Sequence, residues 1–176
     1  MEKHSNLTYI YLDKSNEIIK NAYNLPQDTK IYILVIDSPN FNNSSPINMF
    51  NFEIYLENGT QLEDLSAIYD SKILVSSSIK NPEMINYGKS KEFNQLGYDI
   101  YNKSDIFYTD NCAPASDNGN DITLNDRMKY YYPSNVSLCN EGCEYNNVDF
   151  ETQRILCECN INPYIINEEE KDEEID

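Results

Sequence analysis

The chain has 176 residues, 40% hydrophobic and 24% charged, and its 30 acidic against 13 basic side chains leave a formal charge of −17. That length suits one domain of ordinary size or two small ones, with enough chain for a real core. A surface so acidic repels phosphate backbones and anionic lipid headgroups, which argues against nucleic acid and against peripheral membrane binding as partners.

The charge is uneven. Residues Glu168 to Asp176 carry seven acids and one lysine, a net −6, so the body retains −11. The longest apolar run, Ile31 to Ile36, is too short to cross a bilayer, so no membrane insertion by these residues is expected. Met1 to Leu12 lacks the apolar stretch of a signal peptide. A secreted protein without that stretch is expected to be a segment of a longer precursor.

In chain order, Ser5 to Leu12 alternates as a first strand. This N-terminal strand is a natural point for docking onto a neighbour by strand addition. Ser15 is expected to cap a short helix over Asn16 to Tyr23, with Ile18, Ile19, Ala22 and Tyr23 on one face and Pro26 as its stop. Lys30 to Ile36 is a β-branched run and reads as the central strand. Met49 to Leu56 alternates cleanly, with Phe50, Phe52, Ile54 and Leu56 on one side, and Asn58-Gly59 signals a hairpin. Lys72 to Ile79 and a weaker piece at Met84 to Tyr87 complete four or five strands. The pattern predicts a mostly β chain: a β-sandwich-like domain over residues 1–97, a cysteine-rich disulfide module over 98–166 and an acidic tail over 167–176. Ser116 to Asp121 reads as a plain turn, because the spacing of a calcium loop is missing. Thr123 is placed to cap a helix over Leu124 to Tyr132, with Asp126 three residues on and Pro133 at its end. Arg127 is expected to pair with an acid or to cap carbonyls.

All five cysteines, Cys112, Cys139, Cys143, Cys157 and Cys159, fall in the second segment. Arg154 to Cys159 has strand character, which puts Cys157 and Cys159 on one face with Ile155. Parallel side chains on one face do not readily bond each other, so their partners come from Cys112, Cys139 and Cys143. The run between Cys143 and Cys157 can fold back, which favours that pairing. Five is odd, so one thiol is free, pairs between molecules or has its partner elsewhere. A zinc site built from the two cysteine pairs is the rival, disfavoured by the single residue between Cys157 and Cys159. The lone histidine, His4, sits at the chain end and offers no base to a catalytic cysteine.

Sequons for N-linked glycans occur at Asn6, Asn42, Asn43, Asn58, Asn102 and Asn135. With 25 Asn and 21 Ser plus Thr, about three would arise by chance, so six is a modest excess. The sequons and the cysteine framework point independently to an oxidising compartment, extracellular or at the cell surface.

The run Tyr98 to Asn160 resembles the ectodomain of large, membrane-anchored, cysteine-rich surface proteins of ciliates. Phe107, Tyr108, Asp110 and Cys112 match one element of that family, and Gly119, Asp121, Leu124, Asp126 and Arg127 match a second. Cys139, Cys143, Cys157 and Cys159 match its two cysteine pairs. The resemblance implies a surface location and brings no catalytic residues and no cofactor. This chain departs from the pattern by ending in acid, without the family's later cysteine and membrane segment.

Together these readings predict an extracellular structural glycoprotein, a module of a coat, hair or filament that forms a homo-oligomer or self-assembling filament. The alternative is a receptor or adhesion ectodomain, for which Tyr130, Tyr131 and Tyr132 could form an exposed patch for a protein or carbohydrate. A hydrolase using paired carboxylates is disfavoured, since abundant acids alone make no constellation.

Overall fold

A computed structural model describes residues 6–38, 45–69, 71–133 and 135–161. His4, Asn42, Asn43 and the acidic tail over 167–176 lie outside the described residues. The elements are β1 (Tyr9–Tyr11), α1 (Lys14–Ala22), β2 (Ile31–Ser38), β3 (Met49–Leu56), β4 (Lys72–Ser78), α2 (Tyr87–Gln95), α3 (Ile106–Thr109), β5 (Ser116–Asp117), β6 (Asn120–Asp121), α4 (Leu124–Tyr130), β7 (Cys143–Asp149) and β8 (Arg154–Asn160). Strands hold 31% of the described residues and helices 24%, so the described chain is mostly β.

The main sheet is antiparallel throughout, in the order β1-β4-β8-β7. Period-2 alternation turns Ile73 and Val75 of β4, and Ile155, Cys157 and Cys159 of β8, into one buried face. Each fully buried isoleucine there contributes about 2 kcal/mol. The sheet takes β1 and β4 from residues 1–97 and β7 and β8 from residues 98–166, and a single hydrophobic core runs through both segments. Strand β1 pairs only with β4, which makes it an edge.

Strand β2 is not central. It pairs only with β3, in full register from Ile31 opposite Leu56 to Ser38 opposite Met49, as a separate two-stranded ribbon. Ile31, Ile33 and Val35 turn inward while Tyr32, Leu34 and Ile36 stay exposed. The run is apolar on both faces, and only one face finds a core. Strand β3 follows its alternation, with Phe50 and Ile54 buried and Phe52 and Leu56 half-buried. Beyond it Gly59 adopts a φ of 83°, and the chain turns back to form a bridge from Gln61 to Tyr55.

Two further expectations fail locally. Met84 to Tyr87 is not a strand: Pro82–Ile85 forms a 3-10 turn that leads into α2, as Pro favours a first helical turn. Ser15 does not cap α1 but lies within it, its hydroxyl donating to the Lys72 carbonyl at 2.9 Å. Of the expected apolar face, Ile19 is fully buried while Ile18 is exposed.

Thr123 caps α4 as its spacing requires. Its Oγ1 accepts from the Asp126 N–H at 3.2 Å and donates to Asp126 Oδ2 at 2.7 Å. Ser116 to Asp121 closes as a tight hairpin of β5 and β6, with Asn118 and Gly119 both at positive φ. Asn-Gly takes that conformation readily.

Arg127 caps carbonyls rather than an acid. It is buried, and its guanidinium donates to the carbonyls of Ile122, Phe107, Asp110 and Ala113 at 3.1, 3.0, 3.3 and 2.7 Å. Its Cζ also lies 5.3 Å from the Phe107 ring centroid. Phe107 in turn packs against Phe93, Tyr98, Tyr108 and Tyr131 with centroids 4.8 to 6.0 Å apart. Arg154, the only other arginine, is also buried. It donates to Ser76 Oγ at 2.7 Å, to the Leu7 carbonyl at 2.6 Å and to the Ser76 carbonyl, beneath the Tyr9 ring. In this acidic protein both guanidiniums tie loops and strands together through backbone oxygens.

Candidate functional site

The disulfides follow from the β7–β8 register. That hairpin sets Cys143 opposite Cys159 and Tyr145 opposite Cys157, with an irregularity between Tyr145 and Asn147. Facing residues at a narrow antiparallel pair approach closely, and Cys143 bonds Cys159 with Cα atoms 4.0 Å apart. Cys157 is left for the loop before β7 and bonds Cys139, with Cα atoms 5.9 Å apart. The favoured Cys143–Cys157 pairing is therefore wrong: Cys143 bonds Cys159, the next residue along that face of β8, and Cys157 bonds Cys139 in the loop. The four-thiolate zinc arrangement does not form, because these sulfurs are bonded in pairs. Cys112 is the odd thiol, free and exposed.

Of the six sequons, Asn6, Asn58, Asn102 and Asn135 are exposed. Two of them share a local geometry. Asn58 Oδ1 accepts from the Thr60 N–H at 3.0 Å, and Asn102 Oδ1 accepts from the Ser104 N–H at 2.9 Å. In each, the side-chain amide folds over the residue that completes the sequon.

The three consecutive tyrosines do not form one patch, because a helix end sends them apart. Tyr130 is 62% exposed. Tyr131 packs edge-on to Phe93 and donates its hydroxyl to Asp117 at 2.7 Å. Burial first, and the Asp117 carboxylate second, push that hydroxyl up to about 12. Asp117 also binds Lys89 at 2.6 Å, and this ammonium and the Tyr131 hydroxyl lower its own pKa.

Tyr132 belongs to something else. With Tyr101 and Tyr145 it walls a cavity of about 230 Å³, floored by Leu138 and by Cys139 and Cys143 of the two disulfides. Tyr101 donates to the Ile85 carbonyl at 2.7 Å and meets Tyr145 edge-on with centroids 5.9 Å apart. Tyr132 meets Tyr108 edge-on, and the Lys103 ammonium lies 4.7 Å from the Tyr132 centroid. Behind Tyr145 sits Asp99, whose two carboxylate oxygens accept the Tyr145 hydroxyl at 3.0 and 2.9 Å. Burial raises the Asp99 carboxyl above its usual range, opposed by the Tyr101 N–H and the Tyr145 hydroxyl. Burial and then Asp99 hold the Tyr145 hydroxyl protonated far above neutral pH. Tyr101 and Tyr145 were not among the sequence candidates. Scattered tyrosines carry no spacing that announces a shared cavity.

Comparison with protein-family models, with curated proteins and with solved structures finds no match. Among the described residues no group of three or more His, Cys, Asp or Glu side chains could hold a metal ion. No helix of the described residues is long and apolar enough to cross a membrane.

Proposed function

We propose that this chain is an extracellular structural glycoprotein, a crosslinked module of a surface coat, hair or filament rather than an enzyme. The observation that carries this reading is the disulfide pair clamping β8, an interior strand of the main sheet, to both β7 and the loop before it. Such crosslinks persist in oxidising compartments and are rare in the cytosol. Four exposed sequons agree with that location. The resemblance to ciliate surface ectodomains points the same way, and we read the ribbon and main sheet as a sandwich-like body.

An assembly role is supported by the outer face of the β2–β3 ribbon. Tyr32, Leu34, Ile36 and Met49 are each close to half exposed, at 50, 49, 46 and 55%. Apolar side chains grouped on one sheet face mark interaction surfaces more often than neutral ones. Light scattering on the secreted protein tests this role: a multimer that Leu34→Glu dissociates supports it, and a wild-type monomer at all concentrations overturns it.

The second reading, a ligand-binding ectodomain, is favoured by one observation, the tyrosine-walled cavity beside the disulfides. Concave sites that combine aromatic and apolar side chains with a few polar groups are the usual form of small-molecule sites.

A further inference from the structure

The geometry points to the cavity walled by Tyr101, Tyr132 and Tyr145 as a binding site for a small organic cation, an alkylated ammonium or amine. This rests on the second reading above and names its ligand class. Three aromatic rings converge on one space of about 230 Å³, a size that fits a ligand of a few heavy atoms. Aromatic faces attract ammonium groups, and cages of several rings recognise alkylated ammonium in water. The structure already places a cation on one of these rings, since Lys103 Nζ lies 4.7 Å from the Tyr132 centroid.

The charge behind the wall has the matching sign. Asp99 binds the Tyr145 hydroxyl through both oxygens, so its negative charge draws on that ring's proton and enriches the ring that faces the cavity. Asp105 lies beside it, its Oδ2 accepting the Asp99 N–H at 3.1 Å. No lysine or arginine pairs with Asp99 among the described residues. An anionic pair behind electron-rich rings favours a cation and disfavours an anion of equal size. Val136, Leu138 and the disulfide cysteines give the alkyl groups of such a ligand apolar contact, which a hydrated metal ion would not use.

The test titrates the folded, oxidised protein with tetramethylammonium, with choline and with 3,3-dimethylbutan-1-ol, the uncharged shape match of choline, while amide and tyrosine NMR shifts are followed. The expected result is saturable shifts at Tyr101, Tyr132 and Tyr145 for both cations, with the alcohol at least about tenfold weaker. Tyr132→Leu and Asp99→Asn should each weaken choline several-fold. Lys103→Ala, which removes the competing positive charge, should strengthen it, an effect that a merely structural lysine would not produce. Near-UV circular dichroism confirms that each variant keeps its fold, and a half-exposed Tyr132 makes its variant the safer one. Equal binding of choline and the alcohol would overturn the cation assignment while keeping the cavity as a ligand site. Shifts from none of the three compounds would overturn both. Cation binding untouched by the Tyr132 and Asp99 variants would place it elsewhere and overturn the assignment.

Discussion

Replacing Arg127 should destabilise the fold more than any other single change on the helical side of the molecule. Its guanidinium donates to four carbonyls drawn from α3, the loop after it and the turn before α4, and two of those carbonyls, of Phe107 and Ala113, sit in buried bonds. A buried acceptor left without a donor costs about 1–3 kcal/mol, so those two carbonyls alone imply about 2–6 kcal/mol. Loss of the contact with the Phe107 ring adds about 0.5–1 kcal/mol. We therefore expect Arg127→Met to lose about 4 kcal/mol, a large share of a typical total of about 5–15 kcal/mol. Arg127→Lys should lose about half as much, since a lysine keeps the charge but cannot span the fork of acceptors. The assay is urea unfolding of the oxidised protein, read by far-UV circular dichroism and tyrosine fluorescence, as the chain has no tryptophan. Unfolding free energies of both variants within about 1 kcal/mol of the parent would refute the reasoning, because carbonyls exposed so cheaply were never sealed from water.

Opening the Cys139–Cys157 loop, whose ends are 18 residues apart, by a double change to alanine should cost about 3 kcal/mol in the chain-entropy account, seen as a lowered melting temperature that reductant no longer changes as much. Asp117 is held below the usual carboxylate range by Lys89 and Tyr131, so its stabilisation is complete above the ordinary pKa and is lost as pH falls through the lowered one. Asp117→Asn should therefore flatten the acid limb of stability against pH, and an unchanged limb would contradict the pair. Cys112→Ser should leave the unfolding free energy within about 0.5 kcal/mol of the parent, since the thiol is exposed and unbonded, while removing any covalent dimer on a non-reducing gel.

Local signals were the legible ones. Strand β3 and strand β8 are written as alternation, the α4 cap as Thr123 with Asp126, and the β5–β6 turn as Asn118-Gly119, because each depends on neighbours within a few residues. Strand β2 was misplaced for a physical reason: with Tyr32, Leu34 and Ile36 apolar as well as Ile31, Ile33 and Val35, periodicity cannot separate a strand buried on both faces from a ribbon with one greasy side. Pro82 hid a helical turn where the apolar residues Met84 and Ile85 suggested a strand. Disulfide partners depended on the β7–β8 register, which a shift between Tyr145 and Asn147 adjusts and which no cysteine spacing encodes. The cavity was invisible because Tyr101, Tyr132 and Tyr145 arrive from three separate segments. The face of β8 that carries Cys157, Cys159 and Ile155 was readable, and it limited the bonds to a few choices.

An extracellular, crosslinked role depends most directly on the state of five sulfurs in the protein recovered from its own cells. Non-reducing peptide mapping with mass measurement before and after glycan removal reads it in one preparation. The expected result is Cys139 linked to Cys157, Cys143 linked to Cys159, Cys112 as a thiol or an intermolecular bridge, and glycan on Asn58 or Asn102. Five reduced thiols and bare asparagines throughout would contradict it.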